Sequence, residues 1–148
     1  MKILLQRVKK ASVSVDSQMI SSIETGLLVF IGIQPSDTME EVEYLAEKVA
    51  NLRLFPQEQQ EFDLSVIDAK TSLLVVSQFT LYGSCEKGRR PDFANAARPE
   101  HAEPLYESFV KLLKAKNIAV ETGKFGAHMV VSLENDGPAT FSIEKNHL

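Results

Sequence analysis

Two short apolar runs constrain this chain most. Gly26-Leu27-Leu28-Val29-Phe30-Ile31-Gly32-Ile33 and Leu73-Leu74-Val75-Val76-Ser77-Gln78-Phe79 are continuous rather than alternating. Each therefore reads as a strand buried on both faces of a sheet. Around them the pattern changes. Ala11, Val13 and Val15 alternate with Ser12, Ser14 and Asp16, the period of a half-buried strand. Residues 2–8 and 11–16 are expected as consecutive strands, and 19–23 as a short return strand.

Two helices are predicted. Ser36, Asp37 and Thr38 are capping residues, and Thr38 with Glu41 makes a capping box. Val42, Leu45, Val49 and Leu52 then fall on one helical face. Residues 99–116 form the second helix, with Leu105, Phe109, Leu112 and Leu113 on its apolar face. Lys111, Lys114 and Lys116 crowd its end, where the dipole favours cations. Between them, residues 83–95 are rich in Gly, Pro and charge and read as a long loop. Residues 118–122 and 129–143 return to strands. Many strands, two separated helices and no βαβ rhythm predict a mixed α+β fold. With no linker or repeat, residues 1–148 read as one domain.

The last strands are interrupted by Asn135-Asp136-Gly137-Pro138-Ala139-Thr140. Proline cannot donate to a ladder, so a break or turn is expected there. An X-Pro bond is also where a cis peptide is cheap, and glycine lets backbone approach a ligand closely. The pair can thus present main-chain carbonyls to a pocket. A plain turn between strands is the other reading.

Composition narrows the function classes. The chain is 44% hydrophobic and 24% charged, as soluble domains are. Its net charge of −4 gives no global basic field for nucleic acid. One cysteine, Cys85, cannot bridge within the chain and suits a reducing compartment. No apolar run approaches the roughly 20 residues that span a bilayer, and Gln6, Arg7, Lys9 and Lys10 interrupt any signal-like start. A cytoplasmic location and no membrane partner are expected.

No familiar catalytic constellation is present. His101, His128 and His147 are scattered, without HExxH spacing or a cysteine pair, so no metal site and no cofactor are expected. Neither a GxGxxG nor a GxxxxGK[ST] run occurs. Lys87 can lower the thiol pKa of Cys85, but no histidine is tied to it. Ser77 and Thr80 end an apolar strand, where polar groups commonly emerge into a site, yet neither has an evident base. Lys87-Gly88-Arg89-Arg90-Pro91 offers bidentate donors to phosphate. A merely solvated charged loop is the alternative.

Four blocks together resemble one family. Ser77-Gln78-Phe79-Thr80-Leu81-Tyr82-Gly83, Lys87-Gly88-Arg89-Arg90-Pro91-Asp92-Phe93, Thr122-Gly123-Lys124-Phe125-Gly126-Ala127-His128-Met129 and Asn135-Asp136-Gly137-Pro138-Ala139-Thr140 are similar to the signature blocks of the D-aminoacyl-tRNA deacylases, also called D-Tyr-tRNA deacylases. Gln6-Arg7-Val8 and Ala11-Ser12-Val13 match that family's start. Ala139 departs from the valine usual there.

The resemblance implies a single α+β domain with a mixed or antiparallel barrel-like sheet and two main helices, working as a homodimer. It implies hydrolysis of the ester between a D-amino acid and the 3′-terminal adenosine of tRNA, with aminoacyl-tRNA as partner. Glycine mischarged on alanine tRNA is an expected further substrate. Gly137 and Pro138, joined by a cis bond, would enter the partner's site and reject L-amino acids by rigid backbone. Ser77, Gln78, Phe79 and Thr80 would line the catalytic side, with amides near Phe79 and Thr80 and the Ser77 hydroxyl meeting the oxyanion. Attack by water assisted by the RNA 2′-hydroxyl is the preferred mechanism; Thr80 as nucleophile is the alternative. Phe125 and Met129 would pack on the terminal adenine, or else serve the core. Arg7 would brace the Gly-Pro turn. A non-catalytic binding domain, and a relaxed hydrolase that also removes L-alanine, are the competing readings.

Overall fold

The computed structural model describes residues 1–146. In chain order its elements are strands β1 (Lys2–Val15), β2 (Gln18–Ile23) and β3 (Gly26–Gly32), helix α1 (Met39–Asn51), strands β4 (Phe55–Gln57), β5 (Gln60–Leu64) and β6 (Ser72–Ser77), helix α2 (Pro99–Lys114), and strands β7 (Ala119–Thr122) and β8 (Val130–Glu144). A one-turn 3₁₀ helix, Phe79–Tyr82, follows β6.

The two apolar runs lie side by side. β3 and β6 pair in parallel, with Leu28 opposite Leu74 and Phe30 opposite Val76. Both faces are covered, which is why neither strand alternates. Leu27, Val29, Ile31, Leu73 and Val75 pack with Val42, Leu45 and Val49 of α1 and Phe109 and Leu113 of α2. Leu28, Leu74 and Val76 face the other way and meet Val8, Val13 and Ile23. The mixed sheet runs β2-β1-β3-β6-β7, with β8 on the other edge of β1. Because β2 also lies against β6 and β7, the sheet rolls into a barrel-like shape around this second cluster.

The α1 cap forms as its sequence specifies. The Glu41 carboxylate accepts from the Thr38 N–H at 2.7 Å, and the reciprocal bond of the capping box is present. Val42, Leu45 and Val49 are fully buried along one face.

Four points differ from or add to the expectations. The first concerns β1, which is one strand of 14 residues rather than two. Exposed Lys9 and Lys10 look like a boundary, but they mark where β1 changes partner from β3, paired at residues 2–8, to β2, paired at 11–15. Second, a βαβ rhythm does exist. Each helix links a parallel pair, α1 between β3 and β6, and α2 between β6 and β7. The β4–β5 hairpin and the long loop after β6 are inserted into those connections and hide the alternation. Third, that hairpin, at residues 55–64, carries no strong strand pattern in sequence and is mostly exposed.

The fourth point bears on function. β8 does not break at Gly137-Pro138; it continues for 15 residues. Gln6 pairs with Thr140 and Val8 with Asn135. Asp136, Gly137, Pro138 and Ala139 thus all lie opposite Arg7 alone, and the strand arches outward. A bulge absorbs the missing ladder donor of proline without ending the strand. The Gly137-Pro138 bond is cis.

Candidate active site

The site starts where β6 ends. Ser77 is its last residue, and the Gln78 N–H donates to the Ile31 carbonyl at 2.8 Å. The chain then tightens into the 3₁₀ turn, closed by bonds from Leu81 N to Gln78 O at 3.2 Å and from Gly83 N to Thr80 O at 2.9 Å. The turn packs directly on β3 at Gly32. A Cβ there would lie 2.9 Å from the Leu81 Cβ and 3.0 Å from the Gln78 carbonyl, so only glycine lets the turn sit this close.

The first N–H groups of any helix lack partners within it. Here the amides of Phe79 and Thr80 find no acceptor among the described residues. Phe79 lines a cavity of about 560 Å³, and Thr80 follows it just outside that lining.

That cavity gathers several predicted residues. Ser77, Gln78 and Phe79 line one side of it, while Phe125 and Met129 come from the loop that joins β7 to β8. Ile31, Val76 and Val131 give it an apolar floor. Phe125 is half-buried, with its ring 5.7 Å from that of Tyr106. Tyr106 itself donates to the Val75 carbonyl at 2.9 Å, and burial pushes its hydroxyl pKa up to about 12. The floor is thus held by a neutral, hydrogen-bonded phenol.

Thr80, Arg7, Gly137 and Pro138 do not line this cavity. Thr80 is exposed, and its hydroxyl accepts from the Gln78 side-chain amide. Gly137 and Pro138 lie on the arch of β8, and both are exposed. Arg7 is buried, with 2% of its surface accessible, and its guanidinium is fully engaged. Nε donates to the Asp136 carbonyl at 3.1 Å. Nη1 donates to the Leu54 carbonyl at 2.8 Å and the Glu61 carbonyl at 3.3 Å. Nη2 meets the Glu61 carboxylate at 2.5 Å. It therefore braces the residue before Gly137 and ties the arch to the β4–β5 hairpin.

Sequence reasoning missed part of the wall. Ala97, Pro99 and Ala102, around the start of α2, and His128 also line the cavity. Only the position of His128 beside Met129 could have pointed to it. His101 lies elsewhere, its Nε2 2.8 Å from the Asp37 carbonyl. His147 falls outside the described residues. Among those residues no group of three His, Cys, Asp or Glu side chains is placed to hold a metal ion, and no helix is long and apolar enough to cross a membrane. Cys85 is free and exposed.

The chain as a whole has known relatives. Residues 4–144 match the family model described as D-Tyr-tRNA(Tyr) deacylase. The chain belongs to that deacylase family. A D-aminoacyl-tRNA deacylase of Thermosipho africanus (strain TCF52B) is 51% identical over 144 residues, covering 97% of each chain. One from Brevibacillus brevis (strain 47) is also 51% identical, covering 97% of this chain and 99% of the relative. Among solved structures, the c-Myc DNA Unwinding Element Binding Protein superposes with a TM-score of 0.92 at 42% identity, covering 99% of this chain and 100% of that one. A probable eukaryotic D-amino acid tRNA deacylase shares the fold, with a TM-score of 0.78 at 17% identity. The SQFTLYG block of this deacylase-family member builds its 3₁₀ turn, and the NDGP block builds its β8 arch.

Proposed function

We propose that this chain hydrolyses the ester of D-aminoacyl-tRNA, releasing the free D-amino acid and tRNA. The observation that carries the reading is a pair of consecutive unpartnered amides, that of Phe79 at the rim of an apolar cavity and that of Thr80 next to it, in a deacylase-family chain. Two preorganised N–H donors are what a tetrahedral oxyanion needs, and one such donor is worth about 10²–10³ in rate. Ser77 lines the same rim and adds a hydroxyl.

Water is the nucleophile in this reading, assisted by the 2′-hydroxyl of the terminal adenosine. Thr80 is a poor candidate for that role. The group bonded to its hydroxyl is the Gln78 amide, a donor that cannot take up its proton. The adenine packs against Phe125 and Met129, as unpaired bases pack on aromatic and apolar groups.

Chirality is read by Gly137 and Pro138 of a second copy. Both lie outside their own chain's cavity, on the outward arch of β8. β8 pairs only with β1 among the described residues, and an open edge is a ready surface for another chain. Backbone carbonyls take the substrate's amino group and leave no room for an L side chain. Glycine has no side chain to reject, so glycyl-tRNA of alanine specificity is a further substrate. Residues 1–148 act as one domain, in the cytoplasm where charged tRNA is used.

A nucleic-acid-binding role without hydrolysis is the second reading. The 42% identity to a protein named for binding a DNA unwinding element motivates it. Deacylation of D-Tyr-tRNA and L-Tyr-tRNA with EDTA present separates the two. Release from the D ester alone is the expected result. Release from neither ester supports binding alone, and release from both removes the chiral filter.

A further inference from the structure

The pocket accounts for the aminoacyl end of a substrate but not for the rest of a polyanion. The surface beside it does. Ser84 and Asp92 pair as an antiparallel bridge, with N–H to carbonyl distances of 2.7 and 2.8 Å. They close a hairpin whose tip holds Lys87, Arg89 and Arg90, all exposed. None of the three is paired with a carboxylate among the described residues. The hairpin's two acids are Glu86 and Asp92. The Asp92 carboxylate accepts from the Ala94 N–H at 2.7 Å. Gly88 sits at φ +68°, and a Cβ there would meet nothing within 4 Å. The tip backbone is therefore open to close approach.

The hairpin is also fixed to the site. Phe93, immediately after the bridge, packs edge-on against Phe79 with ring centroids 5.2 Å apart. Phe79 is a rim residue of the cavity. A three-cation tip on an otherwise acidic chain is thus anchored at the mouth of the site, where a bound nucleic acid must leave it.

We propose that this hairpin is a second contact surface, in which Arg89 and Arg90 bind backbone phosphates of the tRNA acceptor stem. The inference rests on the reading of the substrate as tRNA. Arginine forks suit phosphate geometry. Contacts of this kind position a duplex without reading its sequence. An acidic protein thereby gains local affinity without a basic surface overall.

The test uses the full chain and an uncharged acceptor-stem RNA hairpin ending in CCA. Binding is followed by fluorescence anisotropy across a KCl series. Each phosphate contact adds about 0.9 to the slope of log K against log salt. Arg89→Ala/Arg90→Ala is expected to lower that slope by about two, and Arg89→Lys/Arg90→Lys to keep it. An unchanged slope in the alanine variant overturns the proposal. So does equal weakening at every salt concentration that lysine fails to rescue, which marks a structural loop. Deacylation of D-Tyr-tRNA by the unsubstituted protein is measured alongside. No hydrolysis with a lowered slope refutes the proposed activity and leaves the phosphate surface standing. Hydrolysis with an unchanged slope does the reverse.

Discussion

Arg7 Nε lies 3.1 Å from the carbonyl oxygen of Asp136, and through that bond a residue near the start of the chain holds the arch near its end. Arg7 is the one β1 residue facing the four-residue bulge. Its other donors reach Leu54 and Glu61 on and beside the β4–β5 hairpin. A single buried cation therefore joins three segments distant in sequence.

The parts of this junction are unequal. Arg7→Lys keeps the charge but loses the fork, and removing a buried partner of this kind costs about 3 kcal/mol. Glu61 is largely exposed, with 58% of its side chain accessible, so Glu61→Gln should cost under about 1 kcal/mol. Urea denaturation of both variants checks the contrast. Equal losses would mean that the ion pair, not the bonds to carbonyls, holds the arch.

Gly137→Ala should lower kcat/KM for D-Tyr-tRNA by about 10² or more, a loss of close to 3 kcal/mol. The added Cβ has a local conflict as well, since it would lie 2.7 Å from the Asn135 Oδ1. Asn135→Ala in the same chain relieves that conflict. Persistent inactivity of the double variant assigns the loss to substrate exclusion; recovery assigns it to a displaced arch.

Thr80→Ala removes a hydroxyl but not the Thr80 amide. Turnover within about tenfold of the unsubstituted protein is expected if the amide is the catalytic group. A loss of several orders of magnitude, with the fold intact by circular dichroism, would restore Thr80 as nucleophile.

Tyr106 links stability to pH. Its pKa is raised by burial from 10.0 to about 12, so the folded state holds the proton more tightly than the unfolded one. The resulting stability is fully present below pH 10 and is lost as pH rises from about 10 to 12, amounting to on the order of 2 kcal/mol. Tyr106→Phe should cost about 1 kcal/mol at pH 8 through the lost bond to Val75. The same variant should lose less stability than the parent between pH 8 and pH 11. Parallel pH dependence in the two proteins would refute the assignment.

Much of this architecture was legible in the chain itself. The capping box at Thr38 and Glu41, the continuous strands β3 and β6 and the apolar face of α2 all follow from local chemistry. Family blocks also pointed to Ser77, Gln78, Phe79, Phe125 and Met129, which share one cavity. Local pattern failed where the cause was not local. Lys9 and Lys10 look like a strand boundary because sequence cannot show one strand exchanging partners. Gly137-Pro138 looks like a terminus because a missing ladder donor normally ends pairing, and only Arg7 across the bulge explains why it does not.

The sequence by itself determined which segments are helix or buried strand, because periodicity, caps and apolar runs act within a few residues. Tertiary structure alone decided what meets what. It left the amides of Phe79 and Thr80 without acceptors beside a cavity that Phe79 shares with Ala97, Pro99 and His128. It also set the arch of β8 outside that cavity, under the hold of an arginine 129 residues away. Those relations depend on strand register and on the roll of the sheet, which are set by the whole core rather than by any one stretch of chain.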